Sequence, residues 1–121
     1  KYRCYITFRR LSCIEGVLMM EEIYAHAGRE APRECCGLVI QDGDNEKYIP
    51  LENIAENEKD FKMDGKTFLT YLLNSKIKYV VHSHYCQNSA PSEVDKIQCR
   101  EVGIPYLIVS YPEKEYTILQ P

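Results

Sequence analysis

From residue 77 onward the sequence changes character three times. IKYVVHSH (77–84) is β-branched and aromatic, SEVDKIQCREVG (92–103) reads as a helix closed by Gly103, and PYLIVSY (105–111) and YTILQ (116–120) are strand-like runs around the turn PEK. Upstream the alternation continues. MMEEIYAHAGREA (19–31) sets Met20, Ile23, Ala27 and Ala31 at helical spacing until Pro32 stops it. CCGLVIQ, the turn DGDN and EKYIPLEN predict a hairpin over 36–52. A polar loop, NIAENEKDFKMD, leads into DGKTFLTYLLNSK, an expected amphipathic helix with Phe68, Leu69, Leu72 and Leu73 on its apolar side. The order α-β-β-α-β-α-β-β is that of a single α/β domain, a mixed sheet flanked by helices.

At 121 residues the chain is long enough to bury a core without a structural metal or disulfides, so a metal found here is expected to be functional. No apolar run has the length of a bilayer span or of a secretion signal, and a cytoplasmic location is the default expectation. Four of the 15 basic residues (Lys1, Arg3, Arg9, Arg10) and none of the 18 acids lie in residues 1–13. The rest is therefore acidic, which argues against a nucleic-acid partner. The six cysteines (4, 13, 35, 36, 86 and 99) are too sparse for a disulfide scaffold, and Cys35 and Cys36 would point to opposite faces of a strand. A disulfide between Cys86 and Cys99 stays open at this point.

Side chains alternate along a strand, so His82 and His84 share a face, with Cα atoms about 6.6 Å apart. Two imidazoles at that spacing can converge on one ion. A catalytic zinc site usually takes three protein ligands and leaves one position for water. Asp95 lies one turn into the helix that begins at Ser92, within reach of the strand end across a seven-residue loop. Ser92 to Asp95 also reads as a capping box, with no metal needed to explain it. Cys86 would share the histidine face if the strand continued, but the ends of a straight run of five residues lie about 13 Å apart, too far to meet around one ion. It can join only if the chain turns sharply after His84. His26, midway along the first helix, reads as an ordinary surface or core histidine.

HSH, then seven residues, then SEVD resembles the H-[ST]-H-x7-S-x2-D signature of the JAMM (MPN+) zinc metallopeptidases at every defined position. The resemblance covers roughly residues 20–121 and implies a JAMM/MPN fold with cytidine-deaminase-like layering. Carried onto this sequence, it implies Zn2+ held by His82, His84 and Asp95. It also implies Glu34, in PRECCGLVI, as general base, and Ser92 as a hydrogen-bond donor to the oxyanion. Composition alone could not single out Glu34. Within the family, PRECCGLVI, FKMD, HSHYCQNSAPSEVDKIQC and GIPYLIVSYP are most similar to domains of lambda-type phage tail assembly proteins. That likeness implies a zinc peptidase or isopeptidase of phage or prophage tail assembly, located in the bacterial cytoplasm or the virion tail. The expected substrate is a protein or peptide with an extended tail, a ubiquitin-like partner among the candidates, and the full-length protein is expected to carry an NlpC-type peptidase domain. Two rival readings are a catalytically silent MPN-type scaffold and a structural zinc site with Cys86 as fourth ligand. Residues 1–18 match nothing in the family and are read as an extension of uncertain status before a domain spanning 19–121.

Overall fold

The computed structural model describes residues 5–7 and 14–121; the basic arm residues Lys1, Arg3, Arg9 and Arg10, with Cys4 and Cys13, lie outside them. The elements run β1 (Tyr5–Thr7), α1 (Ile14–Glu30), β2 (Cys36–Asp42), β3 (Asn45–Leu51), α2 (Gly65–Asn74), β4 (Ile77–Tyr85), α3 (Glu93–Val102), β5 (Tyr106–Tyr111) and β6 (Tyr116–Leu119). They build one mixed sheet in the order β1-β6-β5-β4-β2-β3. Only β4 and β5 run parallel, joined through α3; β1–β6, β2–β3, β2–β4 and β5–β6 are antiparallel. This is the α/β domain with a mixed sheet that the alternation of elements predicts.

The sheet is covered on both faces, which is why its middle strands read as apolar runs. On one face Met19, Met20, Ile23 and Ala27 of α1 pack on Val39, Val81, Leu107 and Val109. On the other, Leu38, Val80, Tyr106, Ile108 and Leu119 form a second cluster with Cys99 of α3, and Phe68 and Tyr71 of α2 pack against it. Along β4, Val80 therefore faces α2 and α3 while Val81 faces α1. The histidines at 82 and 84 continue the Val80 side.

Three expectations change. The first helix begins at Ile14, five residues before the expected start at Met19. Val17 and Leu18 of its early turns are exposed, so the face that packs on the sheet starts only at Met19 and Met20. In α2 the apolar side is not the expected one: Leu69, Leu72 and Leu73 are exposed, and Phe68 and Tyr71 make the packing. Cys86 and Cys99 form no disulfide. Cys99 lies in the core with its thiol toward the carbonyls of Ile104 and Leu119, while Cys86 is exposed just past the end of β4.

Gly37 shows how closely the strands beside the histidines are packed. It pairs with Pro50 on one side and Val81 on the other. A Cβ placed there would lie 2.5 Å from the Ile49 carbonyl oxygen and 2.6 Å from the Tyr48 ring. The backbone oxygen cannot swing away as a side chain would. Gly37→Ala is expected to destabilise the fold by about 1–3 kcal/mol, the range of core overpacking; chemical denaturation measures it, and an unchanged midpoint would contradict the packing described.

Candidate metal centre

Three separate segments meet at the C-terminal end of β4. The register Cys36↔His82 between β2 and β4 carries the residues just before β2 to the histidine end. The parallel β4–α3–β5 connection returns the N-terminus of α3 to the same end, where α/β sheets usually bind ligands. Glu34, His82, His84 and Asp95 come together there.

His82 is almost fully buried, with its ring between two carboxylates. Nδ1 lies 3.2 Å from Glu34 Oε1, and Nε2 lies 3.0 Å from Asp95 Oδ1. Yet neither nitrogen has a well-directed hydrogen bond. Both ring nitrogens thus sit buried beside carboxylate oxygens at which they are not aimed. His84 Nε2 lies 3.2 Å from Asp95 Oδ2, and its Nδ1 faces the Asn88 carbonyl at 3.0 Å. A carbonyl can only accept, so Nδ1 carries the proton and Nε2 is left to act as a ligand. Glu34, His82 and His84 offer ligand atoms within 4.8 Å of one another, a set able to hold a metal ion. The Nε2–carboxylate separations of 3.0 and 3.2 Å also fit. Ligands about 2.0–2.1 Å from a tetrahedral ion lie about 3.3 Å apart.

Asp95 serves the helix as well as the histidines. Its Oδ2 accepts from the Ser92 backbone N–H at 2.9 Å, and Ser92 Oγ accepts from the Asp95 N–H at 3.0 Å, which completes the capping box read from SEVD. Burial opposes its charge, but His82, His84 and the Ser92 N–H hold the carboxyl far below the usual carboxylate range. Ser92 itself is exposed at the rim of a cleft of about 1060 Å³ that also contains Glu34, His84, Asn88 and Asp95. Cys86 does not join. The chain turns at this residue (φ 56°), but its side chain is exposed, and among the described residues it is not one of the converging ligand set. The structural site with Cys86 as fourth ligand is thus not the arrangement found. His26 is buried on the inner side of α1, hydrogen-bonded through Nδ1 to Tyr48 Oη of β3 at 2.7 Å and apart from the site.

Sequence reasoning missed the residues that hold Glu34 in place. The Glu34 N–H donates to the Glu58 carbonyl at 3.2 Å, and the Glu34 carbonyl accepts from Asn53 Nδ2 at 2.8 Å. Asn53 is buried with its whole amide engaged: it also donates to the Asp60 carbonyl and accepts from the N–H groups of Ala55 and Lys62. Ser83, between the two histidines, points to the opposite face and accepts from the Cys35 N–H at 2.8 Å. Phe61 stacks on His82, ring centroids 4.4 Å apart. Asn53 and Phe61 sit in a stretch that reads only as a polar loop, and no local pattern marks a partner 19 residues away.

A profile describing prokaryotic homologs of the JAB domain matches residues 17–119. This chain belongs to that family. Among curated proteins, the JAB-family chain is similar to the tail tip assembly protein K of Escherichia phage N15, with 38% identity over 103 residues, 84% of this chain and 42% of the relative. It thus spans less than half the length of that protein. Among solved structures, a Desulfitobacterium hafniense protein determined in solution has a TM-score of 0.67 at 33% identity, over 81% of this chain and 75% of that one. A JAB1/MPN domain protein of Archaeoglobus fulgidus has a TM-score of 0.61 at 22% identity, over 84% and 83% of the two chains, and supports the fold alone.

The site makes a pH-dependent prediction. Burial alone would lower the His82 pKa below its ordinary 6.5, but the Asp95 and Glu34 carboxylates overcome it and raise the value to about 9. In the metal-free protein the charged ring supports the fold fully below 6.5, and that support is lost as pH rises through about 9. A divalent cation must displace this proton. Its apparent affinity should therefore climb with pH, about tenfold per unit for one released proton, across the neutral range. Competition with a chromophoric chelator reads the slope, and a flat profile would contradict the pairing.

Proposed function

We propose that this JAB-family domain is a zinc-dependent peptidase or isopeptidase that hydrolyses an amide bond in an extended polypeptide segment during phage or prophage tail assembly. The observation that carries this reading is the buried His82 ring flanked by two carboxylates, with His84 beside it and an open cleft in front. The donor set, two imidazole nitrogens and a carboxylate, is the chemistry of a catalytic zinc site. His82, His84 and Asp95 would hold the ion, and His84 is fixed in the ligating tautomer by Asn88. When bound, zinc supplies a Lewis acid that polarises an amide carbonyl and acidifies water near neutrality.

The chain's own residues supply the remainder. Glu34, anchored through its backbone by Asn53 and Glu58, brings its carboxylate to His82 Nδ1, the ring edge away from Asp95, and lines the same cleft. It accepts the proton of the attacking water and returns it to the nitrogen as the C–N bond breaks, so that acid and amine leave with atoms balanced. Ser92 Oγ already accepts from the Asp95 N–H, and its O–H remains free to donate toward the developing oxyanion across the cleft. Phe61 stacks on one face of His82 and keeps water from that side of the ring. The likeness to a tail tip assembly protein supports placing the substrate among tail proteins or their partners; a ubiquitin-like protein with an extended C-terminal tail is one such substrate by analogy.

Glu34→Gln separates the peptidase from a silent scaffold. Glutamine keeps the size and the backbone anchors but cannot carry the proton, a step worth about 10²- to 10⁴-fold in rate. Hydrolysis of tailed proteins and peptides should fall by that amount while zinc content, read by elemental analysis, stays at one ion per chain. Equal cleavage by both forms would remove Glu34 from the mechanism, and no cleavage by the zinc-loaded parent of any such substrate would favour the scaffold.

A further inference from the structure

Beside the metal centre, between α2 and α3, lies a second and smaller cavity of about 270 Å³. Phe61, Met63, Phe68, Val80, Val102 and Tyr106 line it. The floor, Val80 and Tyr106, is buried; the charged lining residues, Lys62 and Glu101, are exposed, which puts charge at the rim and apolar surface inside. That size is below the range for a whole small-molecule ligand and suits one large side chain.

The cavity and the metal-centre cleft are neighbours with a shared wall. Phe61, Lys62 and Gln98 line both. Phe61 is the divider: one face stacks on His82, and the ring meets Tyr106 in an edge contact with centroids 6.1 Å apart. Val80 precedes His82 by two residues on β4 and faces the same way, so the cavity floor is about 6.6 Å from the ligand along the strand. An extended polypeptide repeats its same-side chains at that same interval.

We propose that this cavity is a specificity subsite which takes a large aliphatic or aromatic side chain of an extended polypeptide, about two residues from the bond presented to His82, His84 and Asp95. The assignment rests on the peptidase reading for the word substrate, but the binding itself does not need hydrolysis. The continuity of the two surfaces through Phe61 selects the occupant. A chain extended along the cleft past Phe61 would carry one same-side chain over the cavity, and the apolar lining matches an apolar one. Leu, Met and Phe are favoured; Asp, Ser and Gly gain nothing there.

Two blocking variants approach the cavity from opposite helices. Val102→Trp fills it from the last residue of α3, which is 41% exposed, and Gly65→Leu fills it from the first residue of α2, where a Cβ meets nothing within 4 Å. Val17→Trp, on an exposed position of α1, is the control. The probes are acetylated, amidated glycine-rich hexapeptides carrying one Leu, Phe, Ser or Asp, titrated into the isotope-labelled, zinc-loaded protein and followed by amide resonances. Leu and Phe peptides should shift Met63, Phe68, Val80 and Val102, with Ser and Asp peptides at least about tenfold weaker, the discrimination expected of one apolar pocket. Both blocking variants should abolish the shifts and the control should keep them. A positional scan of cleaved peptides should show the same apolar preference two residues from the bond. Shifts confined to the cavity without any cleavage support the apolar site and overturn only the peptidase reading. Cleavage that is indifferent to apolar residues, with the cavity resonances unmoved, overturns the subsite and leaves the peptidase standing.

Discussion

Everything around the site is arranged to keep one buried imidazole between two carboxylates. His82 is 1% exposed, on the central strand of the sheet, where a polar ring without partners would be destabilising. Its partners come from different parts of the chain. Glu34 arrives on the segment before β2, tied down by Asn53, and Asp95 arrives on the first turn of α3. The sheet supplies the common frame, because β4 is hydrogen-bonded to β2 on one side and to β5 on the other. The helix packing of both faces holds that frame rigid, and the site inherits its precision from it.

The features legible in the sequence are those whose causes are local. The β-branched run before His82 makes a strand whatever surrounds it, and S-x-x-D followed by Gly103 sets both ends of α3: the capping box forms, and Gly103 takes the left-handed conformation at φ 75°. In α1, Met20, Ile23 and Ala27 are buried as their spacing predicts. The errors arise where several answers satisfy the same pattern. In α2, apolar residues at 68, 69, 71, 72 and 73 cover more than half the helix circumference, so periodicity cannot choose a face. The choice falls to the core beneath, against which Phe68 and Tyr71 pack and the leucines do not. Glu34 was reachable only through family resemblance, since a glutamate before a strand has no local mark of function. Asn53 was not reachable at all, because its role consists of long-range bonds to backbone groups that the sequence does not display.

Asp95 binds the histidines and caps a helix with the same carboxylate. These duties differ in what they demand. The cap needs only a side-chain oxygen at N3 to accept the Ser92 N–H, which an asparagine oxygen would do as well. The histidines have no second duty of this kind: His82 makes no helix or turn, and its ring meets only the carboxylates that flank it and the aromatic rings beside it. S-x-x-D by itself therefore spells no more than a helix start, and it is the paired histidines facing it that turn the end of β4 into a candidate cation site.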